Sequence, residues 1–442
     1  MYSERIEKTL KAKGISVGDE VKLTSGDDMF EGVLMPRAET GDSSIIVIKL
    51  RNGYNIGLKF GDGASIKKLD VKREEFAFPK VELKKGKGLP KVSLLYTGGT
   101  IGSKVDYKTG GVHMLIKPEE LLYAIPELSG IAEVEIRDLM SIASEDMTYK
   151  EWQRIAKETA EALNSGARGV VITHGTDTMH FTSAALSFML ECLNAPVVMT
   201  GAQRSSDRGS SDAFMNAICA VSLAAKSDVA EVGICMHANT SDDLCNLIRG
   251  TKARKMHTSR RDAFRPVNGR PIARIDVGGK IEYASGYKKI SDTEARVKAI
   301  TGFEPKVALI KVHPNSDPDV LEYYLGKGYK GAIIEGTGLG HVPIAPSDKK
   351  YSWLGAIKRA VDAGMLVGMT SQCLNGRVNT NVYTNLRLIH GAGAIYCEDM
   401  MPEVAVVKLG FLLGNYERGQ AAKLLDKNLK GEITSRTEVD WR

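Results

Sequence analysis

Apolar residues in this chain come in short runs broken by glycine and polar clusters, and the spacing of the runs changes along its length. Near the amino terminus, a charged helix ending at Gly14 is followed by runs at 20–23, 30–34, 44–50 and 54–58, with Gly26-Asp27, Gly41-Asp42 and Asn52-Gly53 between them. Short strands separated by turn-forming pairs of this kind predict a small antiparallel β-barrel. Residues 77–91 have little period and hold Pro79, Pro90, Gly86, Gly88 and Lys80, Lys84, Lys85, Lys87 and Lys91. They read as a linker.

From Val92 the pattern alternates buried runs with helical segments. Strands are predicted at 92–96, 132–136, 170–172, 196–199 and 232–236, and helices at 149–164 and 212–226. In the second helix Phe214, Ile218, Val221 and Ala225 fall on one face, which reads as core. Strand, polar loop and helix in succession predict a mostly parallel sheet covered on both sides. Residues 249–258 are polar and basic, a loop or irregular strand, and 276–280 suggest a hairpin turn. A second, smaller α/β region is predicted from strands at 307–312, 331–334, 365–369 and 392–395, with helices at 319–326 and 351–363 and a tail helix near 419–429. The expected division is a barrel at 1–76, a linker at 77–91, a larger α/β domain at 92–300 and a smaller one with the tail at 301–442.

Composition narrows the class without naming a function. The 442 residues can bury a sizeable core, and 60 basic residues nearly balance 54 acidic ones to leave a formal charge of +6. That charge permits an RNA or acidic partner without requiring one. The six cysteines include no closely spaced pair, so neither a disulfide framework nor a zinc knuckle is supported. The amino terminus has no apolar signal region, and no apolar run is long enough to span a membrane, so the expected location is cytoplasmic.

Two loops could carry chemistry. Thr97-Gly98-Gly99-Thr100-Ile101-Gly102 follows the first strand of the larger domain, and His174-Gly175-Thr176-Asp177-Thr178 follows the strand at 170–172. Ligands in parallel α/β sheets sit at the carboxyl ends of strands, and glycines let backbone N–H groups approach closely enough to stabilise an oxyanion. A neutral threonine hydroxyl is a weak nucleophile, so it needs a base such as a deprotonated lysine. Taken alone, Lys252 and Lys255 read as solvated surface lysines, and an aspartate beside a helix start reads as a cap. His174 and His180 have no ligand cluster around them and read as local hydrogen-bonding or packing residues.

Taken together, the two threonine loops resemble the paired signatures of the bacterial-type L-asparaginase family. The resemblance covers roughly residues 91–415 and includes Gly201-Ala202-Gln203-Arg204 and Ala253-Arg254-Lys255-Met256-His257-Thr258. It implies an asparaginase-like two-domain α/β body and an amidohydrolase site. Within that resemblance Thr100 matches the nucleophile, and Tyr107, on the loop that follows, matches its activating partner. Thr176 matches the second catalytic threonine, with Asp177 and Lys255 completing a threonine–aspartate–lysine arrangement. Ser144 matches the contact to the substrate α-carboxylate and Asp177 the contact to its α-ammonium, while Gly99 and Gly175 line the substrate. Glu145 stands where free asparaginases usually carry glutamine, a change expected to alter recognition of the substrate. Thr97 reads as structural. The resemblance also implies a homodimer, with a neighbouring subunit contributing through 337–340 and 379–383.

With the barrel and linker added, the chain resembles the D-subunit family of archaeal Glu-tRNA(Gln) amidotransferases. That resemblance implies a glutaminase that supplies ammonia for the conversion of Glu-tRNA(Gln) to Gln-tRNA(Gln). It places tRNA contacts mainly on a partner, the amidotransferase E subunit, together with ATP and magnesium, and implies no cofactor in this chain, which has no phosphate-binding lysine motif. The alternatives are a standalone L-asparaginase or L-glutaminase and, much more remote, a non-catalytic RNA-binding or assembly protein.

Overall fold

The computed structural model describes residues 2–36, 41–50, 55–70, 88–99, 101, 103–105, 112–114, 125–206, 209–291 and 295–437. The chain forms two compact units, Met1–Glu82 with Ser103–Ile116 and Leu83–Gly102 with Lys117–Arg442. Most of the expected linker, residues 77–87, lies outside the described residues.

In the first unit the helix Glu4–Ala12 precedes five antiparallel strands, ordered Asn55–Lys59, Ile45–Leu50, Asp28–Leu34, Glu20–Ser25 and Ser65–Lys68. The period-2 alternation of the strands sends Val21, Leu23, Leu34, Ile46, Ile48 and Ile66 to one side, where Ile6 and Leu10 of the helix join them. Among the described residues no pairing joins the two end strands, so what stands in the region of the expected barrel is a five-stranded antiparallel sheet. A short antiparallel hairpin, Ser103–Val105 with Val112–Met114, belongs to the same unit.

The second unit is built on an eight-stranded sheet. Its strands Glu133–Asp138, Lys91–Tyr96, Gly169–Thr173, Val197–Thr200 and Val232–His237 are parallel neighbours, and Leu244–Arg249, Ala273–Asp276 and Ile281–Tyr283 extend it antiparallel. Alternation along the central strand feeds two cores. Val170 and Ile172 pack with the helices Tyr149–Asn164 and Met179–Met189, while Val171 packs with the helix Ala213–Lys226 on the opposite face. Thr148 and Glu151 form a capping box that starts the helix Tyr149–Asn164. The helix Ala213–Lys226 departs from the single apolar face expected of it and is buried almost all round. It lies across the sheet with Leu244–Arg249, Ala273–Asp276 and the turn Pro126–Gly130 against it, and Phe214 is its partly exposed apolar residue.

A four-stranded parallel sheet, Val307–Lys311, Gly331–Gly336, Leu366–Ser371 and Ile395–Tyr396, makes the smaller domain. One of its faces is covered by Val320–Gly326, Trp353–Asp362 and Thr384–Gly391. The other is covered by Pro402–Asn415, a helix that sequence periodicity does not reveal. Its apolar residues lie on all sides because it also packs against Met179–Met189, with Phe188 and Phe411 stacked at 6.0 Å. The sheets of both domains therefore share one core. The tail helix spans Arg418–Leu425 and begins one residue before the expected start.

Candidate active site

Polar turns meet beyond the carboxyl edge of the parallel strands. Strands Lys91–Tyr96 and Gly169–Thr173 are in register, Tyr96 beside Thr173, so the turns that leave them start side by side. Thr97 is fully buried, and its hydroxyl donates to the Thr173 carbonyl at 2.6 Å, which gives it the structural role expected of it. Gly99 has φ +89, and a Cβ on it would lie 2.6 Å from the Gly175 nitrogen. Only glycine permits that backbone contact. Ser144, buried in the short helix Ser144–Asp146, packs directly on Gly175, and its carbonyl accepts from the Thr178 hydroxyl at 2.6 Å. Glu145 beside it is exposed.

His174 holds the second turn from inside. Its Nδ1 lies 2.6 Å from the Gly175 carbonyl, which can only accept, so Nδ1 carries the proton and Nε2 accepts from the Thr182 hydroxyl at 2.8 Å. Complete burial depresses the ring's pKa to about 4, so it is neutral and Nε2 is free to accept from that hydroxyl. His180 is likewise depressed to about 4, first by burial and then by the charges of Arg254 and Lys255.

The third side of the site arrives from far along the chain. Ala253–Lys255 pairs with Phe264–Pro266 as a small hairpin. From its last residue, Lys255 Nζ donates to Thr176 Oγ1 at 2.8 Å and to Asp177 Oδ1 at 2.6 Å. Thr176 is buried, the Lys255 side chain is 10% exposed and that of Asp177 is 67% exposed, so the cluster opens to solvent at the carboxylate. Neither Lys252 nor Lys255 is the solvated surface lysine that its local sequence suggests. Buried Lys252 pairs with buried Asp399 at 2.8 Å, and Arg254 pairs with Glu403 at 2.5 Å. Asp399 also accepts from the Thr434 nitrogen and hydroxyl at 2.9 and 2.5 Å. These pairs fasten the hairpin to the segment that opens helix Pro402–Asn415. Burial raises the Glu403 carboxyl, with the Arg254 charge opposing it.

Of the residues expected at the site, Thr176, Asp177, Lys255, Ser144, Gly99 and Gly175 come together here. Thr100 and Tyr107 lie outside the described residues. Sequence reading passed over Asp212, fully buried, whose carboxylate accepts from the Gln203 and Arg204 nitrogens at 3.0 Å and so shapes the Gly201 to Arg204 turn. Its position at the start of a helix was the one available signal. Among the described residues no three His, Cys, Asp or Glu side chains gather as a metal site, and no helix is long and apolar enough to cross a membrane.

Residues 91–288 match the family described as asparaginase, N-terminal, and residues 306–424 the glutaminase/asparaginase C-terminal domain, which makes the body an amidohydrolase of the asparaginase and glutaminase class. Residues 15–69 match the GatD N-terminal domain. The D subunit of glutamyl-tRNA(Gln) amidotransferase from Pyrococcus furiosus is 51% identical, with 98% of each chain covered. The proteins of the same description from Pyrococcus abyssi and Methanothermobacter thermautotrophicus are 48% and 45% identical, covering 99% and 100% of this chain and 99% of each of theirs. Among solved structures, the thermostable L-asparaginase from Thermococcus kodakarensis superposes with a TM-score of 0.68 at 29% identity, over 78% of this chain and 100% of its own. L-asparaginase I from Vibrio cholerae gives 0.67 at 30%, over 78% and 99%. The chain belongs to the D-subunit family of Glu-tRNA(Gln) amidotransferases.

Proposed function

We propose that this chain is the glutaminase component of a Glu-tRNA(Gln) amidotransferase, releasing from glutamine the ammonia that converts Glu-tRNA(Gln) to Gln-tRNA(Gln). The observation that carries the reading is the contact of Lys255 with both Thr176 and Asp177 at the edge where the glycine turns converge. Thr100 attacks the side-chain carboxamide carbon, assisted by Tyr107; the C–N bond breaks, ammonia leaves, and water hydrolyses the glutamyl ester to return the threonine. Overall, glutamine and water become glutamate and ammonia. Lys255, when neutral, takes the Thr176 hydroxyl proton across the same 2.8 Å contact and returns it later. Backbone groups at Gly99 and Gly175 line the substrate and oppose the charge that develops on the carboxamide oxygen. Ser144 takes the α-carboxylate and Asp177 the α-ammonium, and exposed Glu145 tunes the recognition of substrate length.

The working assembly is a cytoplasmic homodimer joined by the E subunit, which binds the tRNA and carries ATP and magnesium. The amino-terminal sheet is a barrel-like docking module, and residues 77–91 are its linker to the two α/β domains. The match of residues 15–69 to the GatD N-terminal domain favours this reading over a free asparaginase. The test is glutamine hydrolysis and ammonia transfer to Glu-tRNA(Gln) by the purified chain with and without the E subunit. Partner-dependent transfer is expected, and vigorous asparagine hydrolysis indifferent to the partner would defeat the reading.

A further inference from the structure

Behind the Thr176 turn, a buried line of hydrogen bonds leaves the helix Ala213–Lys226 and ends at the surface. Asn216, fully buried on that helix, aims its Nδ2 at three acceptors: the Gly201 carbonyl at 2.9 Å, Asp212 Oδ2 at 3.1 Å and Met236 Sδ at 3.5 Å. These neighbours fix which end of the amide is nitrogen. Its Oδ1 therefore faces His237 Nδ1, at 2.6 Å. On the far side of the ring, Nε2 faces Asp242 Oδ1 at 3.2 Å. An amide oxygen and a carboxylate oxygen only accept, so fully buried His237 faces an acceptor on each ring nitrogen. His174 is the contrasting case, with a carbonyl on one nitrogen and a hydroxyl donor on the other.

Both ends of this line reach the site. Gly201 packs on the Thr176 turn so closely that a Cβ there would lie 2.5 Å from the His174 carbonyl and 3.2 Å from Thr176 Cγ2. At the other end, Asp242 also accepts from Arg261 Nη1 at 2.5 Å, and Arg261 donates to the Thr240 carbonyl. Arg261 sits in the turn of the hairpin that carries Lys255, and Arg265 from the same hairpin donates to the Ala238 carbonyl at 2.8 Å. We propose that His237 is a positioning residue, doubly protonated, that ties the Gly201 turn behind Thr176 to the hairpin that delivers Lys255. The proposal rests on the assignment of Thr176 and Lys255 to the glutaminase site.

The groups facing the ring hold it in place. Asp242 is the negative partner and is shared with Arg261; Asn216 is backed by Asp212, and the Cys245 thiol reaches Asn216 Oδ1 at 3.5 Å. The Asp242 carboxyl is held below its ordinary range, first by its bond to His237 and also by the Arg261 charge. Replacing Asp242 with asparagine removes the negative partner that His237 shares with Arg261 and loosens the tie.

Two readouts on the full chain test this. With histidine-specific 15N labelling, the His237 signals, identified by their displacement in Asp242→Asn, are expected to show both ring nitrogens protonated at pH 7; a neutral tautomer overturns the proposal. For glutamine hydrolysis, Asp242→Asn is expected to lower kcat at least threefold with KM within about twofold of wild type. A wild-type kcat in this variant overturns the proposal. A wild-type chain that releases no ammonia defeats the glutaminase reading instead, and the 15N spectrum then still decides the ionisation of His237.

Discussion

Lys255 and Thr176 stand 79 positions apart in the chain and 2.8 Å apart in space, the lysine ammonium donating to the threonine hydroxyl. Two features of the fold produce the contact: a parallel strand that ends at Thr173 and a hairpin fastened through Lys252 and Arg254 to the carboxyl-terminal helix segment.

If Lys255 moves a proton, an arginine there cannot replace it, because a guanidinium stays protonated throughout the working pH range. Lys255→Arg is expected to lower kcat for glutamine by about 10²–10⁴-fold, the usual span for a lost general base. The melting temperature should stay close to wild type. Wild-type kcat and pH profile in this variant would remove Lys255 from the chemistry.

Asp177 keeps two-thirds of its side chain in solvent while holding Lys255 at 2.6 Å, which suits a group that also meets a substrate ammonium. Asp177→Asn should raise KM for glutamine by about 10–100-fold, in line with about 1.5–3 kcal/mol for a charge-assisted hydrogen bond. A change confined to kcat would limit Asp177 to orienting Lys255.

Gly201 has no room for a side chain, since a Cβ would meet the His174 carbonyl at 2.5 Å. That neighbour is backbone inside a packed core, so Gly201→Ala should shift the Thr176 turn and cost about 1–3 kcal/mol of stability. Activity measured well below the melting temperature should fall more than the folded fraction does. Unchanged stability and rate together would show that the turn has slack.

His174 and His180 are both buried, and their pKa values are depressed from the ordinary 6.5 to about 4. As pH falls below 6.5, histidines in the unfolded chain take up protons before the folded ones do, so stability is lost between pH 6.5 and about 4. For each ring the loss reaches about 3 kcal/mol at the bottom of that window. Urea midpoints measured across it should fall steadily, and His180→Gln should flatten the slope. A midpoint independent of pH in wild type would contradict the neutral burial of both rings.

Lys408 and Glu432 are both fully buried, at 2.6 Å, and Lys408 also donates to the carbonyls of Leu425, at 3.0 Å, and Lys427. Burial lowers the Lys408 pKa, and the Glu432 charge opposes that. Lys408→Met leaves the buried carboxylate without its counter-charge, held only by the Leu429 and Lys430 nitrogens, and should cost about 3–5 kcal/mol, whereas pairing it with Glu432→Leu should recover much of the loss. A single variant as stable as wild type would mean that the two backbone donors suffice to hold Glu432.

Period and punctuation alone placed the parallel strands, the turns at their carboxyl ends and the two threonine loops, because a buried strand followed by a glycine turn is a local event. The antiparallel pattern of the amino-terminal module was legible for the same reason. Helix Pro402–Asn415 was not, since an element buried on every side loses the period that would reveal it. Nor could local sequence show that Lys252 and Lys255 leave solvent, that Asp399 receives one of them, or that His237 stands between two acceptors while His174 does not. Burial and ionisation depend on which distant groups surround a side chain, and in this protein those partners come from strands, hairpins and a carboxyl-terminal helix that only the folded chain brings together.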